Sequence, residues 1–582
     1  MGVIEYYKER VIKMRNGNYP LYETTVFEDF RIMTENVAKK YPDRVAISYK
    51  KDPHDSETVK VTYSQARDYI RDLGTELISM GFRDKHVALI GESSYEWICS
   101  YFCLMSVGSV VVPVDKDLPV DDIAGIMSFA ECEAVVYSPL VEDKIETIRA
   151  GGLQLKHYVC MGKTDKEYAV NINDLVRKGG ERFKNGDNSY YDYKIDPERL
   201  ATIVFTSGTT GKGKGVMLSQ KNIVTDMTQG MYLFAITPKT MCVLPPHHTY
   251  GSTVNFVGHF SQGSEIYISS GLKYFMNEIK EQKPQHLILV PLFVETMHKR
   301  IWQNAEKTGK AKMLRTMIKV SNALRKIGID LRRKLFRSIH ENFGGKLEMI
   351  ICGGASLNQD IIDFFEAIGI TILNGYGITE CAPLVSCNRN KYQKKGSVGI
   401  PIIGEQIKIK DPDENGEGEI CVKGPNVMLG YYKDPEATAR VFDEEGYFRT
   451  GDYGRLDEEG WLYITGRLKN IIILSNGKNV YPEEIETEIS RIYGVSEVVV
   501  YAGESKAQKS KEVIVAEIFP DFEALSMRGI DNVQEYFNNE VKKINNRMAP
   551  YKAVKLVKIR NEEFQKNASK KILRFVIDKN ID

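Results

Sequence analysis

Short runs of β-branched residues alternate with stretches of helical periodicity in the first third of the chain. Between residues 45 and 160 the apolar runs are Val45–Tyr49, Val87–Ile90, Val110–Val112 and Ala134–Tyr137. Apolar strands that alternate with helices predict parallel strands joined by crossover helices. We therefore expect an α/β fold in this part of the chain.

One helix of this region has clear start and stop residues. Thr62 and Gln65 form a capping-box pattern, apolar residues follow at helical spacing, and Gly81 can end the helix. The most apolar stretch of the chain, residues 97–114, contains serines, a glycine and Pro113. Such interruptions favour a buried helix that runs into a buried strand over a membrane span.

The pattern changes after about residue 470. Strands are predicted at Val498–Tyr501, Val513–Phe519 and Val554–Ile559, and a polar helix is predicted near Val533–Ile544. These elements do not continue the strict alternation of the first part of the chain. They therefore indicate a separate α+β domain.

Composition and charge narrow the possible partners. The 582 residues include 79 lysines and arginines against 78 aspartates and glutamates, so the charge balance gives no reason to expect nucleic acid as a partner. The nine cysteines contain no CxxC pair and no zinc-ligand spacing, which predicts reduced thiols. The first residues lack the apolar core of a secretory signal. We expect a cytoplasmic protein.

A strongly basic segment runs from Lys299 to Arg337. The segment contains thirteen lysines or arginines but only two acidic residues, Glu306 and Asp330, and apolar residues are interleaved with the basic ones. This pattern predicts one or two basic amphipathic helices. Two interpretations stay open, a solvated helical face and peripheral contact with anionic membrane lipid.

A polar stretch at residues 178–197 is predicted to be a surface connection, and the apolar strand Leu200–Phe205 follows it. A loop rich in glycine and hydroxyl groups comes directly after this strand. The loop reads Thr206-Ser207-Gly208-Thr209-Thr210-Gly211-Lys212-Gly213-Lys214-Gly215. Glycines let backbone N–H groups approach an anion, and hydroxyls and lysines add further donors. We expect the loop to bind a polyphosphate; a flexible surface turn is the alternative.

The same loop satisfies part of the P-loop pattern, GxxxxGK, from Gly208 to Lys214. Gly215 follows, however, where a P-loop requires the serine or threonine that binds magnesium, so a P-loop NTPase is the weaker interpretation. The loop instead resembles TSGTTGxPKG, the phosphate loop of the adenylate-forming superfamily of acyl-CoA synthetases, luciferases and peptide-synthetase adenylation domains. Gly213 replaces the usual proline.

The resemblance extends from about residue 27 to 575 and implies an α/β fold in two domains. Residues 1–468 would form a large N-terminal domain of layered sheets and helices with a small β-barrel-like part, and residues 469–582 a small mobile α+β domain. The substrates would be a carboxylic acid, ATP with Mg²⁺, and coenzyme A. The segment between Pro291 and Leu347 resembles the insertion of long-chain members, which favours a medium- to long-chain fatty acid.

The resemblance also implies roles for residues of the phosphate and nucleotide loops. Thr206 and Glu380 would act in catalysis and bind magnesium, and His248 would lie beside the acyl carboxylate. Asp452 and Arg467 would bind the ribose. The remaining nucleotide-binding residues would be Ser207, Gly208, Thr209, Thr210, Gly211, Lys214, Gly353, Gly354, Ala355, Asn374, Gly375, Tyr376, Gly377 and Thr379.

Three positions in the last part of the chain match residues to which the family assigns a hinge, a coenzyme A loop and a catalytic lysine. Lys469 matches the hinge between the domains, and Gly477 matches a loop that would admit the pantetheine arm of coenzyme A. Residues 566–574 resemble the terminal catalytic motif and place the catalytic lysine at Lys571, with Lys570 as the alternative. The acyl acceptor would be coenzyme A, and a carrier protein is the alternative acceptor.

Overall fold

The computed structural model describes residues 21–206, 213–474, 479–503, 513–566 and 572–581. The chain divides into two compact units. The first unit contains the chain up to Gln406 together with Val422–Phe448 and Glu458–Leu462, and the second contains Ile407–Cys421, Arg449–Asp457 and the chain from Tyr463 onwards. Lys469 therefore lies inside the second unit, and the domain boundary at residues 468–469 stays a prediction.

One sheet of the first unit has eight strands within the described residues. The strands predicted at residues 87–90, 110–112 and 134–137 are neighbours in it and run parallel, which confirms the alternating pattern. Their side chains are almost all buried, as in strands covered on both faces. In spatial order the strands are Gly430–Tyr431, Lys214–Ser219, Leu200–Thr206, Val110–Val114, His86–Ile90, Ala134–Tyr137, His157–Cys160 and Ala169–Asn171.

A second sheet of the same unit has nine described strands. It contains the first predicted strand, Val45–Tyr49, which pairs in parallel with Glu265–Ile268 and antiparallel with Val59–Thr62. The predicted strand therefore exists, but in a different sheet from the next three. In spatial order the strands are Ile400–Pro401, Leu384–Cys387, Thr371–Gly377, Met349–Cys352, His286–Leu289, Lys239–Cys242, Glu265–Ile268, Val45–Tyr49 and Val59–Thr62.

Helices lie between these strands along the chain. The helix predicted after Thr62 spans Tyr63–Ser79, and both hydrogen bonds of its capping box are formed. Gly81 follows with φ of 81°. The other described helices of this unit are Phe30–Lys40, Tyr95–Ser106, Val120–Phe129, Glu142–Ala150, Ile172–Lys184, Ser189–Asp192, Gln220–Gly230, the π-helix Tyr250–Val257, Gly258–Ser261, Phe275–Gln282, Pro291–Lys307, Ala311–Lys326, Arg332–Leu335, Arg337–Asn342, Gln359–Ile368 and Pro435–Val441.

The polar stretch at residues 178–197 lies mostly at the surface, as expected, but it begins in a helix and contains buried residues. The helix Ile172–Lys184 covers its first part, and Tyr190 is 1 % exposed. A Cβ atom at Gly179 would lie 1.8 Å from the carbonyl oxygen of Asp72, so the glycine allows two helices to pack closely. The other residues of the stretch are exposed or half-buried, as expected of a surface connection, so the prediction missed only the helical parts and the three buried residues, Gly179, Gly180 and Tyr190.

The apolar stretch at residues 97–114 forms the end of the helix Tyr95–Ser106 followed by the strand Val110–Val114, as predicted. Among the described residues, none of the helices combines the length and hydropathy needed to cross a membrane. All nine cysteines are buried and none forms a disulfide bond. The expected reduced thiols agree with this arrangement.

The second unit contains the strands and the helix predicted after residue 470. Its largest sheet consists of Val495–Gly503, Val513–Pro520 and Leu556–Ile559, and the predicted polar helix spans Val533–Asn545. Four further strands, Gln406–Lys410, Gly418–Lys423, Phe448–Leu456 and Leu462–Arg467, form the small sheet that takes the place of the expected barrel-like part. The remaining elements are the strands Ile472–Ile473 and Asn479–Val480 and the helices Pro482–Ile489 and Phe522–Met527.

Candidate active site

The predicted phosphate loop connects two neighbouring antiparallel strands. Thr206 ends one strand, Lys214 begins the next, and the two residues are partners in the ladder. The Thr206 hydroxyl donates to the carbonyl oxygen of Lys214 over 3.5 Å. The ends of the loop are thus held together. The predicted residues Ser207, Gly208, Thr209, Thr210 and Gly211 lie outside the described residues.

Glu380 lies in a tight turn, Thr379–Cys381, directly after the strand that ends at Gly377. A Cβ atom at Gly377 would lie 2.0 Å from the carbonyl oxygen of Pro383, so glycine is needed for the close approach of the backbone there. Ile378 N–H donates to the same carbonyl over 2.9 Å. The turn that carries Glu380 and Thr379 is therefore fixed by its own backbone.

Tyr431 connects Glu380 with the phosphate loop. Its hydroxyl donates to Oε1 of Glu380 over 3.0 Å, and Nζ of Lys214 lies 4.3 Å from the centre of its ring. The structure thus brings Thr206, Lys214 and Glu380 into one contiguous group. Tyr431 is not among the predicted site residues, because it lies outside the predicted motifs and only the folded chain shows its contacts.

Thr206 and Glu380 offer a hydroxyl and a carboxylate, which are hard oxygen donors. Magnesium in nucleotide sites is commonly held by one or two such groups and by the phosphates themselves, so these residues fit a magnesium ion that arrives with ATP. No group of three or more histidine, cysteine, aspartate or glutamate side chains within the described ranges is arranged to hold a metal. The assignment of Thr206 and Glu380 as ligands stays a prediction.

The two predicted nucleotide loops lie side by side at the carboxyl ends of parallel strands. Cys352 and Asn374 are partners in the ladder, so the next residues, Gly353 and Gly375, are neighbours. Any Cβ atom at Gly353 would come within 3.4 Å of the Gly375 carbonyl oxygen. The edge that they share also carries the predicted residues Gly354, Ala355, Tyr376 and Gly377. Ligands of open α/β sheets bind at such edges.

The segment around His248 reaches the same edge. The rings of His247 and His248 lie 4.2 Å apart, and the Tyr250 hydroxyl donates to the carbonyl oxygen of Leu289 over 3.1 Å. The Tyr250 ring also lies against Gly353, 3.3 Å from the position that a Cβ atom would take. The predicted acyl-carboxylate residue is thus only two positions away in the chain from a residue that contacts the nucleotide loop.

His247 lies in this segment, mostly buried beside Asp115. Its Nε2 lies 3.5 Å from Oδ2 of Asp115, and burial lowers the pKa of His247 to about 4. The ring is therefore neutral at neutral pH, and its contact with Asp115 is not an ion pair there.

The predicted ribose pair is formed in the second unit. Arg467 Nε lies 2.8 Å from Oδ1 of Asp452, whose side chain is only 4 % exposed, whereas the Arg467 side chain is 46 % exposed. Lys469 follows closely, and burial, with the nearby Arg467 charge, lowers the pKa of its ammonium group. Gly477 lies outside the described residues.

The backbone on both sides of the terminal motif is paired. Lys566 forms a bridge with Ile572, and Leu573 N–H donates to the carbonyl oxygen of Gln565 over 2.8 Å. Arg574 on one side pairs with Glu486, and Lys566 on the other pairs with Glu497. Lys570 and Lys571 lie between these anchors, outside the described residues, and the assignment of the catalytic lysine stays a prediction.

Residues 34–432 match the AMP-binding enzyme family. The chain belongs to that family. It is 29 % identical to the long-chain-fatty-acid–[acyl-carrier-protein] ligase of Arabidopsis thaliana chloroplasts, across 80 % of this chain and 73 % of that protein. It is 30 % identical to the long-chain-fatty-acid–CoA ligase 5 of Rattus norvegicus, across 80 % of this chain and 71 % of that protein.

The fold of this AMP-binding enzyme is also found among solved structures. ATP-bound MatB from Rhodopseudomonas palustris superposes with a TM-score of 0.73 over 94 % of this chain and 98 % of that one, at 23 % identity. The predicted family and the α/β fold class are therefore confirmed. The prediction of an AMP-forming ligase that uses ATP and magnesium is likewise confirmed by the family. The roles of the individual site residues stay predictions.

Two buried acids, Asp226 and Glu405, lie near each other in this AMP-binding enzyme. Asp226 accepts from Leu384 N–H over 3.3 Å and from the Asn426 side-chain amide over 3.3 Å. Glu405 is fully buried, and burial raises its pKa to about 8. Desolvation disfavours a charged carboxylate, so Glu405 holds a proton at neutral pH. Burial also raises the pKa of Asp226.

This burial predicts a pH-dependent stability. The folded-state pKa of Glu405 lies above its unfolded value, so the native state binds the proton more tightly and stability falls as pH rises from about 4.5 to about 8. The loss is about 3 kcal/mol between pH 5 and pH 7.5. Glu405→Gln removes the titrating carboxyl group, so its stability should not fall with pH in this way. We therefore expect the difference in melting temperature between Glu405→Gln and the wild type to increase as pH rises from about 5 to about 7.5. A gain that is equal at all pH values, or equal to that of the exposed control Glu444→Gln, would contradict the expectation.

Proposed function

We propose that this AMP-binding enzyme is a fatty acyl-CoA synthetase that converts a medium- to long-chain fatty acid, ATP and coenzyme A into acyl-CoA, AMP and pyrophosphate. One observation carries the proposal. Lys214 of the phosphate loop and Glu380 of a distant motif meet on Tyr431, next to Thr206. A cation, a hydroxyl and a carboxylate so placed suit a magnesium-bound polyphosphate.

In the first step an oxygen of the fatty acid carboxylate attacks the α-phosphorus of ATP. The bond to pyrophosphate breaks, and the product is an acyl-adenylate. The step brings two anions together, so it requires cations and donors placed where negative charge accumulates. Lys214 and Lys571 would supply positive charge, and magnesium, held by Thr206 and Glu380, would neutralise phosphate charge when bound.

In the second step the sulfur of coenzyme A attacks the acyl carbonyl carbon. The bond to AMP breaks, AMP leaves as an anion, and the thiol proton passes to solvent. The predicted small domain, residues 469–582, would turn at Lys469 between the steps and bring the loop of Gly477 to the site in place of Lys571. Each step therefore uses a different loop of the second unit, and neither requires a nucleophilic side chain.

The relatives support the choice of acid but differ in the acceptor. The names of both relatives include a long-chain fatty acid, but one transfers it to coenzyme A and the other to an acyl carrier protein. A carrier-protein ligase is therefore the second candidate function. The same adenylate would form in both cases, so only the acceptor separates the two candidates.

The test is acid-dependent pyrophosphate release with ATP and magnesium, measured across short, medium, long and aromatic acids. Each reaction is run alone, with coenzyme A, and with phosphopantetheinylated acyl carrier protein. Release that peaks with a medium or long fatty acid and yields AMP and acyl-CoA supports the proposal. Thioester formed only on the carrier protein supports the second candidate, and phosphate without pyrophosphate contradicts both.

The basic segment suits peripheral contact with a membrane, which we include in the proposal. It forms four helices in place of the one or two predicted, including Ala311–Lys326. Met313, Val320 and Ile327 recur at seven-residue spacing along this segment and are 52 %, 46 % and 70 % exposed. The residues just before them are exposed lysines at positions 312, 319 and 326. An apolar stripe beside a column of cations fits an anionic lipid surface.

Reversing these charges should remove the interaction. We expect Lys312→Glu, Lys319→Glu and Lys326→Glu together to reduce sedimentation with phosphatidylserine-containing vesicles by about tenfold or more, because each cation near the surface contributes about 1 kcal/mol. The control carries the same charge change at exposed lysines elsewhere, Lys39, Lys51 and Lys60. Equal loss in both variants, or no binding by the wild type, would contradict membrane contact.

A further inference from the structure

The segment 428–432 is held by backbone hydrogen bonds on two sides. On one side Met428 N–H donates to the carbonyl oxygen of Glu380 over 2.8 Å. On the other, Tyr432 N–H donates to the carbonyl oxygen of Gly215 over 2.7 Å, directly after Lys214. The segment therefore joins the end of the phosphate loop to the turn of Glu380, and Tyr431 lies between these two attachments.

The Tyr431 side chain makes a second connection between the same two places. It is 5 % exposed, its hydroxyl donates to Glu380 Oε1 over 3.0 Å, and its ring lies 4.3 Å from Lys214 Nζ. A phenol keeps its proton at neutral pH, so the hydroxyl donates and the carboxylate accepts. A carboxylate that accepts at one oxygen keeps a fixed rotation, which sets the direction of its other oxygen. The ammonium group above the ring is attracted by its π face.

We propose that Tyr431 is a positioning residue that orients the Glu380 carboxylate for the magnesium ion of bound ATP and holds Lys214 beside it. The inference rests on the proposed function and extends it to a residue outside the predicted motifs. Tyr431 would act through Glu380 and would not itself touch the reacting atoms. Preorganised ligands of this kind commonly depend on a hydrogen-bonding partner behind them.

The matched pair of variants is Tyr431→Phe and Tyr432→Phe. Each variant removes one hydroxyl that donates to a carboxylate. The Tyr431 hydroxyl donates to Glu380, and the Tyr432 hydroxyl donates to Glu131 over 2.8 Å on the exposed surface. Tyr431→Phe keeps the ring and so keeps the packing and the contact with Lys214. We expect it to weaken Mn²⁺ binding by about tenfold, since a hydrogen bond to a charged group is lost. Tyr432→Phe should bind Mn²⁺ as the wild type does.

Mn²⁺ binding is measured by electron paramagnetic resonance in the presence of a non-hydrolysable ATP analogue. In the pyrophosphate exchange reaction Tyr431→Phe should also require a higher magnesium concentration for half-maximal rate, while its melting temperature without ligands stays at the wild-type value. Unchanged Mn²⁺ binding in Tyr431→Phe would overturn the proposal. If the wild type binds Mn²⁺ and nucleotide but releases no pyrophosphate with any acid, the proposed function is contradicted. The role of Tyr431 is then still tested by the comparison of Mn²⁺ binding between Tyr431→Phe and the wild type.

A second measurement tests whether Tyr431 acts through Glu380. In a Glu380→Ala background the tyrosine hydroxyl has no carboxylate to orient, so adding Tyr431→Phe should cause no further loss of Mn²⁺ binding. An additional loss as large as that in the wild-type background would show that Tyr431 acts independently, and would overturn the positioning role.

Discussion

Replacing Lys571 with alanine should reduce acyl-adenylate formation by about 100-fold or more while changing ATP affinity only a few-fold. The reason is that its point charge would stabilise the charge that develops as the carboxylate attacks ATP, rather than bind the ground state. The residues on both sides of 567–571 are paired, since Lys566 bridges to Ile572 and Lys566 and Arg574 form ion pairs with Glu497 and Glu486. Acid-dependent pyrophosphate exchange and binding of a fluorescent ATP analogue measure the two quantities.

Lys570→Ala is the matched control for this prediction, since it removes the same charge one position away. It should keep most of the exchange activity. A large loss in Lys570→Ala with near-normal Lys571→Ala would assign the catalytic role to Lys570. Both variants should convert synthetic acyl-adenylate and coenzyme A to thioester at the wild-type rate, and a failure there would contradict a role confined to the first step.

Glu380→Gln should lower the rate of adenylate formation by about 100-fold and raise the magnesium concentration needed for half-maximal rate. Glutamine keeps the shape of the side chain, and its carbonyl oxygen can still accept the hydrogen bond from Tyr431. The change therefore removes the negative charge and leaves the turn in place. The measurement is pyrophosphate exchange over a magnesium titration, accompanied by the melting temperature.

Glu131→Gln provides a comparable surface change, because Glu131 also accepts from a tyrosine hydroxyl but is exposed. It should leave the magnesium titration unchanged. If Glu380→Gln needs the same magnesium concentration for half-maximal rate as the wild type, whatever its remaining rate, then Glu380 is not a magnesium ligand. A lower melting temperature in Glu380→Gln alone would instead show that its charge stabilises the turn.

Elements with local causes were predictable with small errors in their bounds. The helix Tyr63–Ser79 follows from a capping box that its own residues form, and the strands near residues 87, 110 and 134 follow from apolar runs that parallel strands require. The glycine loops were predictable for the same reason, since a backbone that must approach another backbone or an anion excludes side chains. At Gly377 the structure shows such an approach.

Relations between distant segments were not predictable. The sequence does not show that Val45–Tyr49 joins a different sheet, because an apolar run fits the interior of either one. It does not reveal the packing of Gly179 against Asp72, since the surrounding sequence is polar. It also gives no reason to single out Tyr431, whose role depends on two partners that are far away in the chain.

The sequence by itself determined the family, the order of the motifs and the residue types that can hold a polyphosphate, because these depend on backbone freedom and on donor and acceptor chemistry at single positions. The tertiary structure decided which of those residues meet. Lys214 and Glu380 are connected through the segment 428–432, which pairs with the strand after the phosphate loop and bonds to the backbone of Glu380. Such neighbours are set by packing and strand pairing across the whole chain, which no local pattern encodes.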